Sequence, residues 1–344
     1  MTYKRQAGKP SACAGNACTG DVFSQMFIVA VFLGVFLVAS AFAAITQPVL
    51  TVRRQDRRAG QVDPARLENY VRVLSTELIP RDERHPEGLN RAAAYIAEEF
   101  CRFGGTVSEQ QFALGGKTFR NIIASFGPET GDRIVVGAHY DVDGPFPGAD
   151  DNASGVAGLL ELARLFGKRA PSIRVDLAGY TLEEAGDLQS GVTGSAVHAR
   201  SLKNQGVSVR AMFSLEMIGY FSDVEGSQNY PLPGLGLIYP SRGNFIAVIG
   251  KLDQPLLVRR IKRAMKSAGS LSIRSINAPR QLVDITLSDH VNFWNEGYPA
   301  VMITDTAFHR NKAYHSGSDT WERLDYKRMA GVVEGVHAAI EAFS

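Results

Sequence analysis

From residue 133 to the C-terminus, apolar runs of strand length alternate with stretches of helical apolar spacing. "RIVVGAH" (133–139) precedes a helical pattern at 153–167. "IRVDLAGYTL" (173–182) precedes one near 191–203. "VRAMFSLEMIG" (209–219) and "NFIAVIG" (244–250) follow as strands, with a helix at 253–267 after the second. "YPAVMIT" (298–304) and a terminal helix at 326–343 close the series. This alternation predicts an α/β fold with a mostly parallel, mixed central sheet and helices on both faces. Upstream, 64–78 and 88–104 have helical spacing, and "TVSEQQFAL" and "TFRNIIASF" flank "GGK" as a hairpin. With 344 residues, 45% of them hydrophobic, the chain can build one large core.

In an open α/β sheet, ligands bind beyond the carboxyl ends of the strands. The chemistry-bearing residues of this chain cluster there. His139 ends one predicted strand, Glu183 and Glu184 follow the next, and Glu216 ends a third. Asp151 opens the helix at 153, and His315 lies in a loop past the last strand. Two histidines and four carboxylates are ligands for zinc or a similar divalent cation, with carboxylates able to bridge two ions.

The loop "HYDVDGPFPGADD" sharpens this expectation. It gathers Asp141, Asp143, Asp150 and Asp151 beside His139 with no Lys or Arg among them. Such a group repels itself unless a cation neutralises it. Alternation in an extended segment puts His139 and Asp141 on one side, so Asp141 is expected to orient the imidazole.

"GAHYD", "PGADDNASGVAGLLELAR", "EE", "EMIG", "SDHVNFWNEGYPA" and "YHSGSDT" occur in that order. Together they resemble the di-zinc aminopeptidases of the clan that also holds glutamate carboxypeptidases and glutaminyl cyclases. The resemblance covers about residues 64–343 and implies a metal-dependent exopeptidase acting on peptides with two zinc ions per chain. It implies that His139 and Glu216 bind one zinc, that Asp151 bridges both, and that Glu184 and His315 bind the second. It further implies Glu183 as general base and Tyr314 as a stabiliser of the tetrahedral intermediate. Glu216 stands where the family pattern most often has Asp, and its extra methylene still reaches a metal. Asp141 and Asp289 are read as partners that orient the ligands. A one-zinc cyclase-like aminoacyltransferase and a non-catalytic ectodomain are the competing readings.

Other residues carry structural readings. Asp150 stabilises its loop, Ser154 starts a helix, and His290 packs. His85, His198, His309 and His337 are solvent or core histidines. The segment at 220–243, rich in Gly, Pro and Tyr, is a candidate binding loop.

The N-terminal part differs in kind. Val22 to Val52 holds no charged residue, and Phe23–Ile45 as a helix spans roughly 35 Å, enough for a bilayer core of about 30 Å. The expected organisation is a tail (1–22), a transmembrane anchor (23–45), a linker (46–62) and a zinc peptidase domain (63–344). A cleaved signal peptide is the rival, with small-residue sites at 39–43. The catalytic domain of this single-pass protein is expected to be extracytoplasmic, as relatives of the resembled family imply. Residues 1–58 carry seven Lys or Arg against two Asp, net +5, so the remainder of a +2 chain is −3. That mildly acidic body argues against nucleic acid as a partner. Cys101 alone follows the anchor, so the domain has no internal disulfide.

Overall fold

Strand β3 (Arg133–His139) is paired in parallel on both sides, by β4 (Arg174–Tyr180) and by β5 (Val209–Glu216). A strand in that position is covered on both faces, which is why it reads as unbroken apolar sequence. In the computed structural model, which describes Thr2, Gly8 and residues 17–49, 61–185, 192–269 and 271–343, it lies inside an eight-stranded mixed sheet. β8 (Ala300–Thr304) pairs in parallel with β5. β6 (Phe245–Lys251) runs antiparallel to β8 and parallel to β7 (Ser272–Ala278) at one edge. At the other edge, β1 (Thr106–Leu114) and β2 (Lys117–Phe126) form a hairpin whose second strand lies antiparallel to β4.

The side-chain period of two sorts the strand residues into two cores. Ile134 and Val136 of β3 pack with Phe213 and Leu215 of β5 beneath α2 (Pro64–Arg72), α3 (Pro86–Arg102), α4 (Gly155–Lys168), α6 (Pro255–Ala268) and α8 (Tyr326–Glu341). Val135 and Met212 face the opposite way, under α5 (Gly194–Asn204) and α7 (His290–Asn295). The expected α/β sandwich is therefore present, with helices on both faces.

β7 and α7 were not legible in the sequence. β7 buries Ser275 and Asn277 on its inner side, so its pattern lacks apolar alternation. Both donate hydrogen bonds to backbone: Ser275 to the Thr46 carbonyl and Asn277 to that of Lys251. α7 has only six residues, too few for a periodic signal.

The chain divides into two compact units, Met1–Ala44 and Ile45–Ser344. The first holds most of helix α1 (Ala17–Thr46), whose Phe27, Phe32, Phe36 and Val38 are all about two-thirds or more exposed. Within the second, Thr46, Gln47 and Val49 are buried. Lys262 donates to the Thr46 carbonyl at 2.7 Å and Lys266 to that of Val49 at 3.1 Å. The start of the expected 46–62 linker is thus held on the domain. Its residues 50–60, most of the expected tail and residue 191 of the helix expected near 191–203 lie outside the described residues.

Candidate metal centre and active site

Register brings the first two site residues together. Gly137 of β3 pairs with Ser214 of β5, so two residues further on His139 comes level with Glu216. Both point to the same sheet face, and His139 Nε2 lies 3.5 Å from Glu216 Oε2. Ser288 donates its hydroxyl to that same oxygen at 2.7 Å, and Ser214 contacts Ser288 at 2.8 Å.

The Asp151 loop is fixed by its neighbours. Asn152 donates to the Leu215 carbonyl, and its own Oδ1 accepts from the Met217 and Gly155 amides. A Cβ on Gly155 would come within 2.5 Å of Asn152 Oδ1 and of the Leu215 carbonyl, so only glycine allows this approach. Asp150 turns away from the centre and accepts from the Gly219 amide and Asn311. Asp151 turns toward it. Asp151 Oδ1 is 3.3 Å from His139 Nε2, and Oδ2 is 3.1 Å from His315 Nε2. Glu184 Oε1 lies 3.0 Å from His315 Nε2.

The outer nitrogens of the two histidines set their orientation. His139 Nδ1 faces the Asp141 carbonyl oxygen at 3.1 Å, closer than the Asp141 carboxylate at 3.7 Å. The expected carboxylate partner is thus replaced by the backbone of the same residue. The carboxylate instead accepts the Glu184 amide at 3.0 Å and so sets the Glu183–Glu184 turn. His315 Nδ1 faces Asp143 Oδ2 at 3.2 Å. A carbonyl or carboxylate oxygen only accepts, so with a proton kept on each Nδ1 each Nε2 is placed to offer its lone pair to a cation. His139 Nε2 and both Asp151 oxygens are buried without a hydrogen bond of acceptable geometry. Orphaned buried acceptors converging on one point fit a cation.

Among the described residues, two groups have donor atoms within 4.8 Å of one another: His139, Asp151 and Glu184, and His139, Glu183 and Glu216. Asp289 is close by, with both carboxylate oxygens buried and unpartnered. The electrostatics match this crowding. Burial, then the Glu184 and Glu216 charges, pushes the Glu183 carboxyl well above the usual range, with His139 opposing. Burial and Asp151 take Glu184 up to about 8. Burial would lower His139, but Glu183 and Glu216 hold it well above its ordinary value. Burial would raise Asp151, yet its two histidine neighbours hold it below the usual carboxylate range. Without a cation, acid and base here share protons; a cation releases the histidines and ionises the carboxylates.

Three residues that bear on the site adopt left-handed backbone without being glycine: Leu182 (φ 62°), Met217 (φ 49°) and His315 (φ 52°). Each costs about 1 kcal/mol or more, so packing around the site imposes these conformations. Leu182 directly precedes Glu183, and Met217 directly follows Glu216.

Two supporting residues lay outside the sequence reading. Asp319, in "SGSDT", is buried and accepts the amides of Asp150 and Asp151 at 3.0–3.1 Å. Arg81 is fully buried and donates to the carbonyls of Leu74, Tyr140, Pro147 and Gly148. It ties down the backbone at both ends of the aspartate-rich loop and leaves the carboxylates to face inward. Asp319 could have been suspected from its place four residues past His315; Arg81 carries no local signal.

Tyr314 stacks on His315 with ring centroids 3.7 Å apart, and burial keeps its phenol protonated. Beside it opens a pocket of about 110 Å³, which Glu216 and Tyr314 join to the acidic centre. Its walls include Tyr239, Phe245, Ile285, Met302 and Phe308, so part of the 220–243 segment does line a cavity. His290 packs edge-on to Trp294 and does not line this pocket.

Residues 121–340 match the sequence pattern of peptidase family M28. The uncharacterised protein YfbL of Escherichia coli K12 is 47% identical over 281 residues, covering 79% of this chain and 86% of YfbL. A probable zinc metalloprotease of Pyrenophora tritici-repentis is 26% identical, covering 73% of this chain; the chain spans only 59% of that protein. Among solved structures, LapA of Legionella pneumophila matches with a TM-score of 0.66 at 19% identity, covering 86% of this chain and 78% of LapA. That likeness is one of fold.

Proposed function

The chain belongs to peptidase family M28, and from that premise we propose that it is a membrane-anchored zinc aminopeptidase for peptides with an apolar N-terminal side chain. We assign one zinc to His139, Asp151 and Glu216, and a second to Asp151, Glu184 and His315. Zinc bound there supplies a Lewis acid and a water of lowered pKa. The remaining steps belong to the chain. Glu183, held proton-hungry by burial, takes the proton from the attacking water and delivers it to the leaving amine. Tyr314, still protonated, donates a hydrogen bond to the developing oxyanion. The pocket beside Glu216 receives the side chain of the first residue, and its tyrosine, phenylalanine and isoleucine walls favour large apolar groups.

The observation that carries this reading is the facing pair of imidazoles. Both turn Nε2 toward Asp151, at 3.3 and 3.1 Å, with Nδ1 held from behind. Metal analysis combined with a panel of aminoacyl anilides and glutaminyl peptides tests it. About two zincs per chain, and chelator-sensitive cleavage of leucyl and phenylalanyl anilides, are expected. One zinc with cyclisation of glutaminyl peptides would establish the cyclase reading instead.

Ser24–Thr46 is long and apolar enough to cross a membrane. We propose that it is retained as a single-pass anchor with the peptidase domain extracytoplasmic. The full chain should then resist alkaline extraction, and protease should reach the domain in cells whose inner membrane is intact. A soluble chain beginning near residue 42 or 44 would show a cleaved signal.

A further inference from the structure

α6 (Pro255–Ala268) carries Arg259, Arg260, Lys262, Arg263 and Lys266 and no acidic residue. Val258, Ile261 and Met265 are buried against the sheet. Leu256, Arg259, Arg260 and Arg263 form the outward stripe, and Leu256 is 79% exposed. Leu252, just before the helix, is also exposed. Arg260 donates to the Ala342 carbonyl and lies over the Phe343 ring. Arg259 and Arg263 pair with no carboxylate among the described residues, which leaves two cations unspent on a domain whose sequence is net acidic.

The inner side of the same helix grips the end of the apolar run. Lys262 Nζ donates to the carbonyl of Thr46, the last residue of α1, and Lys266 Nζ to that of Val49. If Ser24–Thr46 crosses a bilayer, Thr46 lies at headgroup level, in a polar layer about 5–8 Å deep. α6 is only about 21 Å long, so no part of it is far from its contact with Thr46.

We propose that α6 rests on an anionic phospholipid surface, with Arg259, Arg260 and Arg263 meeting headgroup phosphates and Leu252 and Leu256 entering the interface. A basic face edged by exposed leucine is the pattern of an interfacial helix. This inference rests on the anchor reading above. Nucleic acid also attracts arginine, but it gives no role to the exposed leucines.

The test uses the full chain with Cys13→Ser, Cys18→Ser and Cys101→Ser, carrying Leu256→Cys labelled with an environment-sensitive fluorophore. It is reconstituted into vesicles of phosphatidylcholine alone or with phosphatidylglycerol added. Blue-shifted emission and protection from aqueous quencher are expected only with the anionic lipid, and high salt should reverse both. The triple variant Arg259→Glu, Arg260→Glu, Arg263→Glu should lose the shift while still floating with vesicles and cleaving soluble substrate normally. Equal emission in both vesicle types, an unaffected triple variant, or protection by an RNA oligomer and not by anionic lipid would overturn the proposal. Flotation with neutral vesicles reads the anchor separately. A chain that floats with both lipids but shows no emission difference defeats the α6 surface alone. One that floats with neither defeats the anchor, and this surface with it.

Discussion

Ser288 donates its hydroxyl to the Glu216 oxygen that also lies 3.5 Å from His139 Nε2. The longer carboxylate is thus held by a hydrogen bond from its own sheet face. Ser288→Ala should leave Glu216 free to swing and weaken metal retention by roughly tenfold, read by competition with a chromogenic chelator. Glu216→Ala should drop occupancy to about one metal per chain, with Glu216→Asp milder because charge and ligand type persist. Two tightly held zincs in Glu216→Ala would remove Glu216 from the ligand set.

Glu183 and Glu184 are adjacent, and proximity alone would allow either as a ligand. Their surroundings separate them. Burial raises both carboxyls, but Glu184 faces His315 at 3.0 Å, whereas Glu183 groups with His139 and Glu216. Glu183→Gln should keep both metals and lower turnover by about 10²–10⁴-fold. Glu184→Gln should lose metal first. Loss of zinc from Glu183→Gln alone would exchange the two assignments.

Asp319 holds the Asp151 loop through backbone amides of residues 150 and 151. Asp319→Ala leaves buried amides unpaired, at a cost of about 1–3 kcal/mol. It should also lower zinc affinity by about 10- to 100-fold, because the shared carboxylate loses its orientation. Calorimetric unfolding and metal titration measure the two effects. Wild-type affinity in a correctly folded Asp319→Ala chain would contradict this role.

Acid should destabilise the domain through His198. Its ring meets the Tyr180 hydroxyl at 2.8 Å, and burial takes its pKa down to about 4 from an ordinary 6.5. Above pH 6.5 the ring is neutral in both folded and unfolded chains, and no cost arises. Between pH 6.5 and 4 only the unfolded chain takes up the proton, so stability falls as pH falls, by up to about 3 kcal/mol. His198→Gln should unfold more easily at neutral pH but show a shallower pH slope over that window. Denaturant midpoints across the window report it, and an unchanged slope would refute the assignment.

The sheet and its helices were legible because apolar periodicity follows directly from which faces are buried, and β3, β4 and β5 are buried on both. β7 escaped because Ser275 and Asn277 are buried through hydrogen bonds, which hydrophobic pattern does not register. His139, Asp151, Glu183, Glu184 and Glu216 are legible because each lies at or near a predicted strand end or helix start, and His315 because its motif, "YHSGSDT", follows the others in order.

What the sequence by itself determined is therefore the architecture, an apolar segment of bilayer length, and an acidic loop that needs a cation. The tertiary structure alone decided how that loop is held. Arg81 arrives from 60 residues upstream of Asp141 and spends its guanidinium on carbonyls, not on the aspartates. Asp319 arrives from 168 residues downstream of Asp151 and accepts that residue's own amide. The Asp141 carbonyl, not its carboxylate, faces His139. These choices depend on backbone groups, which are the same in every residue, so no letter of the sequence announces them. They appear only when register and packing bring distant chain segments within about 3 Å.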